Sequence, residues 1–154
     1  ALPISACEVE VDPATGVVQL ASFVASVDVG TVVNPMLLAG QLHGGYATGV
    51  GQALLEDARY DDSGQLLAAT LMDYALPRAA DLPMFAHAIA SNPSPNNILG
   101  IKGVGELPTN GAAAAVANAV VDALAGDGVV HVELPMTPSR VWHAIQEAAK
   151  RRTR

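Results

Sequence analysis

Between Ile4 and Asp12 the side chains alternate, with Ile4, Ala6, Glu8 and Glu10 on one side and Ser5, Cys7, Val9 and Val11 on the other. A period of two is the pattern of a strand with two unlike faces. Asp12-Pro13-Ala14-Thr15-Gly16 reads as a turn, and Val17 to Val29 resumes an apolar, β-branched run. Together they predict an antiparallel hairpin. From Met36 to Leu55 the apolar residues recur at helical spacing although several glycines interrupt them. Glycine inside a helix costs about 1 kcal/mol relative to alanine. These glycines therefore need a reason, and close approach of a neighbour or a cofactor is such a reason.

Further along, Arg59-Tyr60 and Leu66-Leu67 flank Asp61-Asp62-Ser63-Gly64 and predict a second short hairpin. Asp73 to Pro83, with Pro77 and Pro83, predicts an extended crossing segment. Phe85 to Ala90 reads as a strand and Asn92-Pro93-Ser94-Pro95-Asn96-Asn97 as a rigid loop. Ala112 to Leu124 predicts a helix closed by Gly126, and His131 to Leu134 a short strand. Thr137-Pro138 opens a last helix with a capping hydroxyl and a proline at the first position. There is no internal repeat. The expected fold is a single α+β domain with short antiparallel hairpins and two to three packed helices.

Composition narrows the function classes. The chain has 154 residues, 51% of them hydrophobic but only 15% charged and 4% aromatic. A core of Ala, Val and Leu is expected, on a chain long enough to bury one. So little charge also implies that part of the surface is covered in the working protein. The net charge of −7 argues against nucleic acid as a partner. No apolar run approaches the length of a membrane span, and a cytoplasmic location is expected. The basic tail Lys150-Arg151-Arg152-Thr153-Arg154 reads as a frayed, solvated end, and the single cysteine, Cys7, as a buried structural thiol.

Candidate chemistry concentrates in Ile101-Lys102-Gly103-Val104-Gly105-Glu106-Leu107-Pro108. Gly100, Gly103 and Gly105 permit positive φ or close approach to a ligand. Pro108 biases Leu107 towards an extended conformation. Glu106 then stands just ahead of a helix, where the positive end of the macrodipole favours a negative charge. That setting suits a general base; a solvated or helix-capping glutamate is the plain alternative.

Lys102-Gly103-Val104-Gly105-Glu106 with Pro108 and the following helix resembles the C-terminal part of the molybdenum hydroxylase large subunit, the xanthine dehydrogenase, aldehyde oxidase and carbon monoxide dehydrogenase family. The resemblance extends upstream to Asp28-Val29-Gly30-Thr31-Val32-Val33-Asn34-Pro35, Gly40-Gln41-Leu42-His43-Gly44-Gly45 and Gly49-Val50-Gly51-Gln52-Ala53-Leu54. Two motifs in order are far more specific than one, and the similarity runs from about Cys7 to Ala125. It implies a chain, 1–154, forming the C-terminal part of a molybdopterin-binding domain, with an N-terminal hairpin at 1–29 and a terminal helix and basic tail at 136–154.

The same resemblance implies oxidation of a small substrate, an aldehyde, N-heterocycle or carbon monoxide, with water-derived oxygen. Glu106 would be the catalytic base, taking a proton from a hydroxyl on a molybdenum held by the pterin dithiolene, with no metal ligand from this chain. Gln41, matching the glutamine of Gln-x-x-Gly-Gly, would contact the pterin cofactor, in its cytosine dinucleotide form if the source is bacterial. A helix glutamine bonded to nearby backbone is the plain alternative, and Gly44 and Gly45 would serve close packing. Expected partners are the remainder of the large subunit, iron–sulfur and flavin (FAD) modules and, as the family implies, a second copy of the complex. The chain alone would be inactive. A non-catalytic structural or assembly module with the same fold is the competing reading.

Other residues carry less. His43, His87, His131 and His143 fall in four separate elements without metal-ligand spacing. Lys102 could pair with an anion or with Glu106, though a loop lysine is ordinarily solvated. Asp61-Asp62-Ser63-Gly64 lacks the ligand series of a calcium loop, and Gly49-Val50-Gly51 lacks a phosphate-loop continuation.

Overall fold

The alternating N-terminal segment forms a long two-stranded ribbon in the computed structural model, which describes residues 2–153. Strands β1 (Leu2–Val11) and β2 (Val18–Asp28) pair antiparallel, with a register break between Glu8 and Val9. The expected turn joins them: Asp12 accepts from the Ala14 amide at 2.9 Å and from the Thr15 hydroxyl at 2.6 Å. Gly16 closes it at φ 74°, where a Cβ would run into the Pro138 carbonyl. Only glycine fits there.

Helix α1 (Pro35–Leu54) starts where Asn34 accepts the Leu37 amide at 3.0 Å, with Pro35 in the first turn. Strand β3 (Ala86–Ala90) then pairs parallel with β2, giving a mixed sheet of order β1-β2-β3. Helices α2 (Leu107–Ala125) and α3 (Pro138–Arg152) follow. One face of β2, through Phe23, Ala25 and Val27, meets the buried stripe Leu38, Leu42, Tyr46 and Val50 of α1. On α2, Ala112, Val116, Val120 and Leu124 recur every fourth residue and complete the core with Val141 and Ile145 of α3. The core is aliphatic as composition implies, except where the buried rings of Phe23 and Tyr46 meet the half-buried ring of Phe85, with centroids within 5.5 Å of one another. The α+β expectation holds.

Several local expectations do not. The second hairpin is present only in its shortest form, one antiparallel bridge from Tyr60 to Leu66 with the Asp61 amide donating to the Gln65 carbonyl and the Leu67 amide to the Arg59 carbonyl, around a turn held by the Asp61 carboxylate. Residues 73–83 are only partly extended: irregular backbone, extended at Arg78 and Leu82, is interrupted by a short 3-10 helix (Ala79–Asp81) where Arg78 and Asp81 pair at 3.1 Å. His131 to Leu134 has no strand partner and is irregular. Helix α2 begins five residues early, so Leu107 is helical: a proline in the first turn fits a helix, and packing overrides the bias it places on its predecessor. Gly126 is the C-cap of α2 as expected, but in a right-handed conformation, and the left-handed residue is Gly128 at φ 83°. Thr137 caps α3 without a side-chain bond. Lys150 to Arg152 are not frayed; they form the last turn of α3, where cations suit the macrodipole, and Arg152 bonds the Gly126 carbonyl. Arg154, the end of the expected tail, lies outside the described residues.

Candidate cofactor and active site

The two motif-bearing loops are joined to each other. β2 ends at Asp28 and leads through Gly30 to the Asn34 cap; the second loop runs from Gly100 to Glu106 and enters α2. Gly30 and Ile101 form an isolated bridge. The Lys102 amide donates to the Val29 carbonyl and the Thr31 amide to the Gly100 carbonyl, each at 3.0 Å. Gly30 and Gly100 take φ of 68° and 65°, and a Cβ on Gly30 would overlap the Gly100 carbonyl. The backbones approach this closely because both residues lack side chains. Of the three loop glycines, only Gly100 uses positive φ; Gly103 and Gly105 border open space.

A half-buried ion pair spans the same junction. Lys102 Nζ lies 2.5 Å from Asp28 Oδ2, and Asp28 Oδ1 accepts the Gly30 amide at 3.0 Å. The Lys102 ammonium, followed by the Gly30 amide, holds the Asp28 carboxyl below the usual carboxylate range. Lys102 is therefore neither solvated nor paired with Glu106. Its partner is 74 residues away, beyond the reach of any local reading.

Glu106 occupies the N-cap position of α2, exposed, and its carboxylate makes no capping bond. Gln41 is exposed on α1. The helix packing brings the two to one end. A Cβ on Gly45 would sit 2.7 Å from the Pro108 ring, and one on Gly49 would sit 2.5 Å from Ala112. One turn of α1 thus matches one turn of α2 in the same direction. Gln41, six residues into α1, precedes Gly45 by one turn and Glu106 precedes Pro108 by two residues, so the register sets both at the N-terminal end of the α1–α2 contact. Thr109 Oγ1 donates to the Gly45 carbonyl at 3.2 Å across this contact.

The glycines of α1 divide by role. Gly45 and Gly49 admit α2, whereas Gly40 and Gly44 have nothing within 4 Å of a Cβ position. Gly44 is not a packing glycine, contrary to the pairing expected with Gly45. It lies three residues from Gln41, hence on the same exposed helix face. Beside the joined loops runs an open apolar groove of about 320 Å³, lined by Val29, Val33, Leu37, Ile101 and Val104 with Lys102 at its edge. A cavity of about 430 Å³ lies at the opposite end of α1, against Leu20, Val50, Leu54 and Met136, remote from Gln41.

Two histidines from different elements meet. The rings of His43 on α1 and His87 on β3 are 5.4 Å apart, beside Phe85. Their pairing rests on β3 lying next to β2, which the sequence did not reveal. Among the described residues no group of three or more His, Cys, Asp or Glu could hold a metal. The Asp61 carboxylate is used inside its own turn. Cys7 is half-buried against the core, and burial, with the Glu8 charge, pushes its thiol up to about 11.

Residues 3–83, just over half of the chain, match the model of the molybdopterin cofactor-binding domain. The chain belongs to this family. The carbon monoxide dehydrogenase large chain of Hydrogenophaga pseudoflava is 42% identical over 141 residues, covering 92% of this chain and 18% of the relative. Among solved structures, Cu,Mo-CO dehydrogenase in its carbon monoxide reduced state superposes with a TM-score of 0.90 at 36% identity, over 96% of this chain and 19% of that one. Quinoline 2-oxidoreductase from Pseudomonas putida 86 gives 0.88 at 46% identity, over 90% and 18%. The chain thus spans less than a fifth of the length of these relatives. Gln41 falls inside the stretch matched to the molybdopterin-binding domain and Glu106 beyond it. Among the described residues no helix is long and apolar enough to cross a membrane.

Proposed function

We propose that this chain is the C-terminal portion of the large subunit of a molybdenum hydroxylase, and that Glu106 is the proton acceptor of its active site. The observation that carries the reading is the shared location of Gln41 and Glu106 at the N-terminal end of the α1–α2 pair, set by the Gly45–Pro108 and Gly49–Ala112 contacts. The residues there fit a large polar cofactor. Gln41 offers two donors and an acceptor, and the bare faces of Gly40 and Gly44 beside it leave room for close approach. The Glu106 carboxylate is committed to no capping bond.

When bound, the molybdenum–pterin cofactor, in the cytosine dinucleotide form for a bacterial chain, supplies a redox centre that takes two electrons from the substrate. Gln41 would hold the cofactor through its amide donors and acceptor. Glu106 accepts a proton from a water-derived hydroxyl, which raises the nucleophilicity of that oxygen; a positioned base of this kind is worth about 10²–10⁴-fold in rate. The helix N-terminus favours the negative charge before the proton arrives. The substrate is a small molecule of the class oxidised by the relatives, carbon monoxide or an N-heterocycle, or an aldehyde. The remainder of the large subunit supplies the rest of the pocket. Iron–sulfur and flavin modules carry the electrons away, in a cytoplasmic complex whose large subunits dimerise.

The test is to purify the intact complex carrying this sequence, measure molybdenum and pterin content, and assay it against carbon monoxide, quinoline and an aldehyde. Metal bound with turnover of one of these supports the reading. A folded complex that neither binds molybdenum nor turns over any of them indicates a structural module.

A further inference from the structure

The Glu106 carboxylate is exposed and unbonded, so its position is set entirely by the backbone that carries it. That backbone is fixed on the helix side by Pro108, seated against Gly45. On the other side Gly103 and Gly105 border open space, and half-buried Val104 packs against the core while its carbonyl accepts the Leu107 amide at 3.3 Å, a bond within the segment itself. The nearest hydrogen bonds on that side that tie the segment to a distant part of the chain are at Lys102, four residues from Glu106. There one ammonium bonds the carboxylate that terminates β2, and Asp28 is itself oriented by the Gly30 amide. The flanking bonds, Lys102 to Val29 and Thr31 to Gly100, tie the same two loops.

Resting on the reading of Glu106 as proton acceptor, we propose that Asp28 and Lys102 are a positioning pair that holds the Glu106 loop at its working distance from the β2–α1 loop. A misplacement of about 1 Å at a reacting group can cost about 10²-fold in rate. The pair touches no reacting atom. Its effect is on where the base stands, and it links the segment carrying Gln41 to the segment carrying Glu106.

The experiment compares Lys102→Met, Lys102→Arg, Asp28→Asn and Glu106→Gln in the intact complex. It reads kcat and KM separately, molybdenum content, and hydrogen-exchange protection of the Lys102 and Thr31 amides. Lys102→Met and Asp28→Asn are expected to lower kcat by about 10²-fold, with KM and molybdenum content near wild type and faster exchange at both amides. Lys102→Arg keeps the charge and is expected to restore most of kcat. Wild-type kcat in Lys102→Met, or a loss that follows molybdenum content alone, overturns the proposal. Full turnover in Glu106→Gln refutes the base reading instead; in that case faster exchange in Lys102→Met upholds the pair as the anchor of the loop, and unchanged exchange overturns it too.

Discussion

Lys102 Nζ stands 2.5 Å from Asp28 Oδ2, joining the end of β2 to the loop that enters α2. Both side chains are about four-fifths shielded from solvent. The pair is therefore screened by salt less than a surface ion pair, and it ties together the two stretches of sequence that carry the family resemblance.

A first prediction follows for acid stability. The Asp28 carboxyl is held low, first by the Lys102 ammonium and then by the Gly30 amide. A depressed folded value contributes stability that is present above the unfolded value, about 4, and is lost as pH falls through the folded value. Asp28→Asn is expected to be less stable than wild type at pH 7, with the gap closing as pH drops below about 4. Urea midpoints across a pH series check this. Asp12, Asp61 and Asp81 are lowered too, but they titrate in both proteins and cancel in the difference. A gap independent of pH contradicts the assignment.

The glycines of α1 give opposite predictions. A methyl at Gly49 meets Ala112 at 2.5 Å and the Ala113 amide nitrogen and Thr109 carbonyl at 3.0 Å, and backbone cannot give way cheaply. Gly49→Ala is expected to destabilise by about 1–3 kcal/mol, the usual cost of overpacking. Gly40→Ala meets nothing and is expected to stabilise by up to about 1 kcal/mol through helix propensity. In the intact complex the same Gly40→Ala change is expected to reduce cofactor content if that face approaches the pterin. Equal stability effects at the two positions count against the packing described here.

Cys7 supplies a third. With its thiol raised to about 11 by burial and the Glu8 charge, little thiolate exists at pH 8. Alkylation by iodoacetamide is expected to be slow at pH 8 and to keep accelerating beyond pH 9, levelling only near 11. Unfolding releases the thiol to its ordinary value, so Cys7 also contributes a loss of stability as pH rises from about 8.5. A rate that levels near pH 9 contradicts a shielded thiol.

Features set by neighbouring residues were legible in the sequence; features set by distant ones were not. Alternation in β1 and the Asp12–Gly16 turn give the hairpin, and helical spacing gives α1. Both are set locally, the helix by bonds four residues apart and the hairpin by a turn that fixes the register of the strands beside it. The parallel pairing of β3 with β2 depends on a long crossover and leaves no local mark. The alternation at His131 to Leu134 is real but finds no partner. Pattern alone also could not separate Gly45 and Gly49, which admit α2, from Gly40 and Gly44, which face open space. Gln41 and Glu106 are exposed, and exposed residues carry no periodic packing signature; they were found through their motifs. Asp28 and Lys102 both stood in those motifs, but only the fold shows that they touch.

The central claim is tested most directly by Glu106→Gln in the intact complex, with turnover expressed per bound molybdenum. The carboxylate is exposed and unbonded, so the substitution is expected to leave folding and metal content unchanged. Turnover is expected to fall by about 10²–10⁴-fold, the contribution of a positioned general base. Wild-type turnover with molybdenum fully bound contradicts the account.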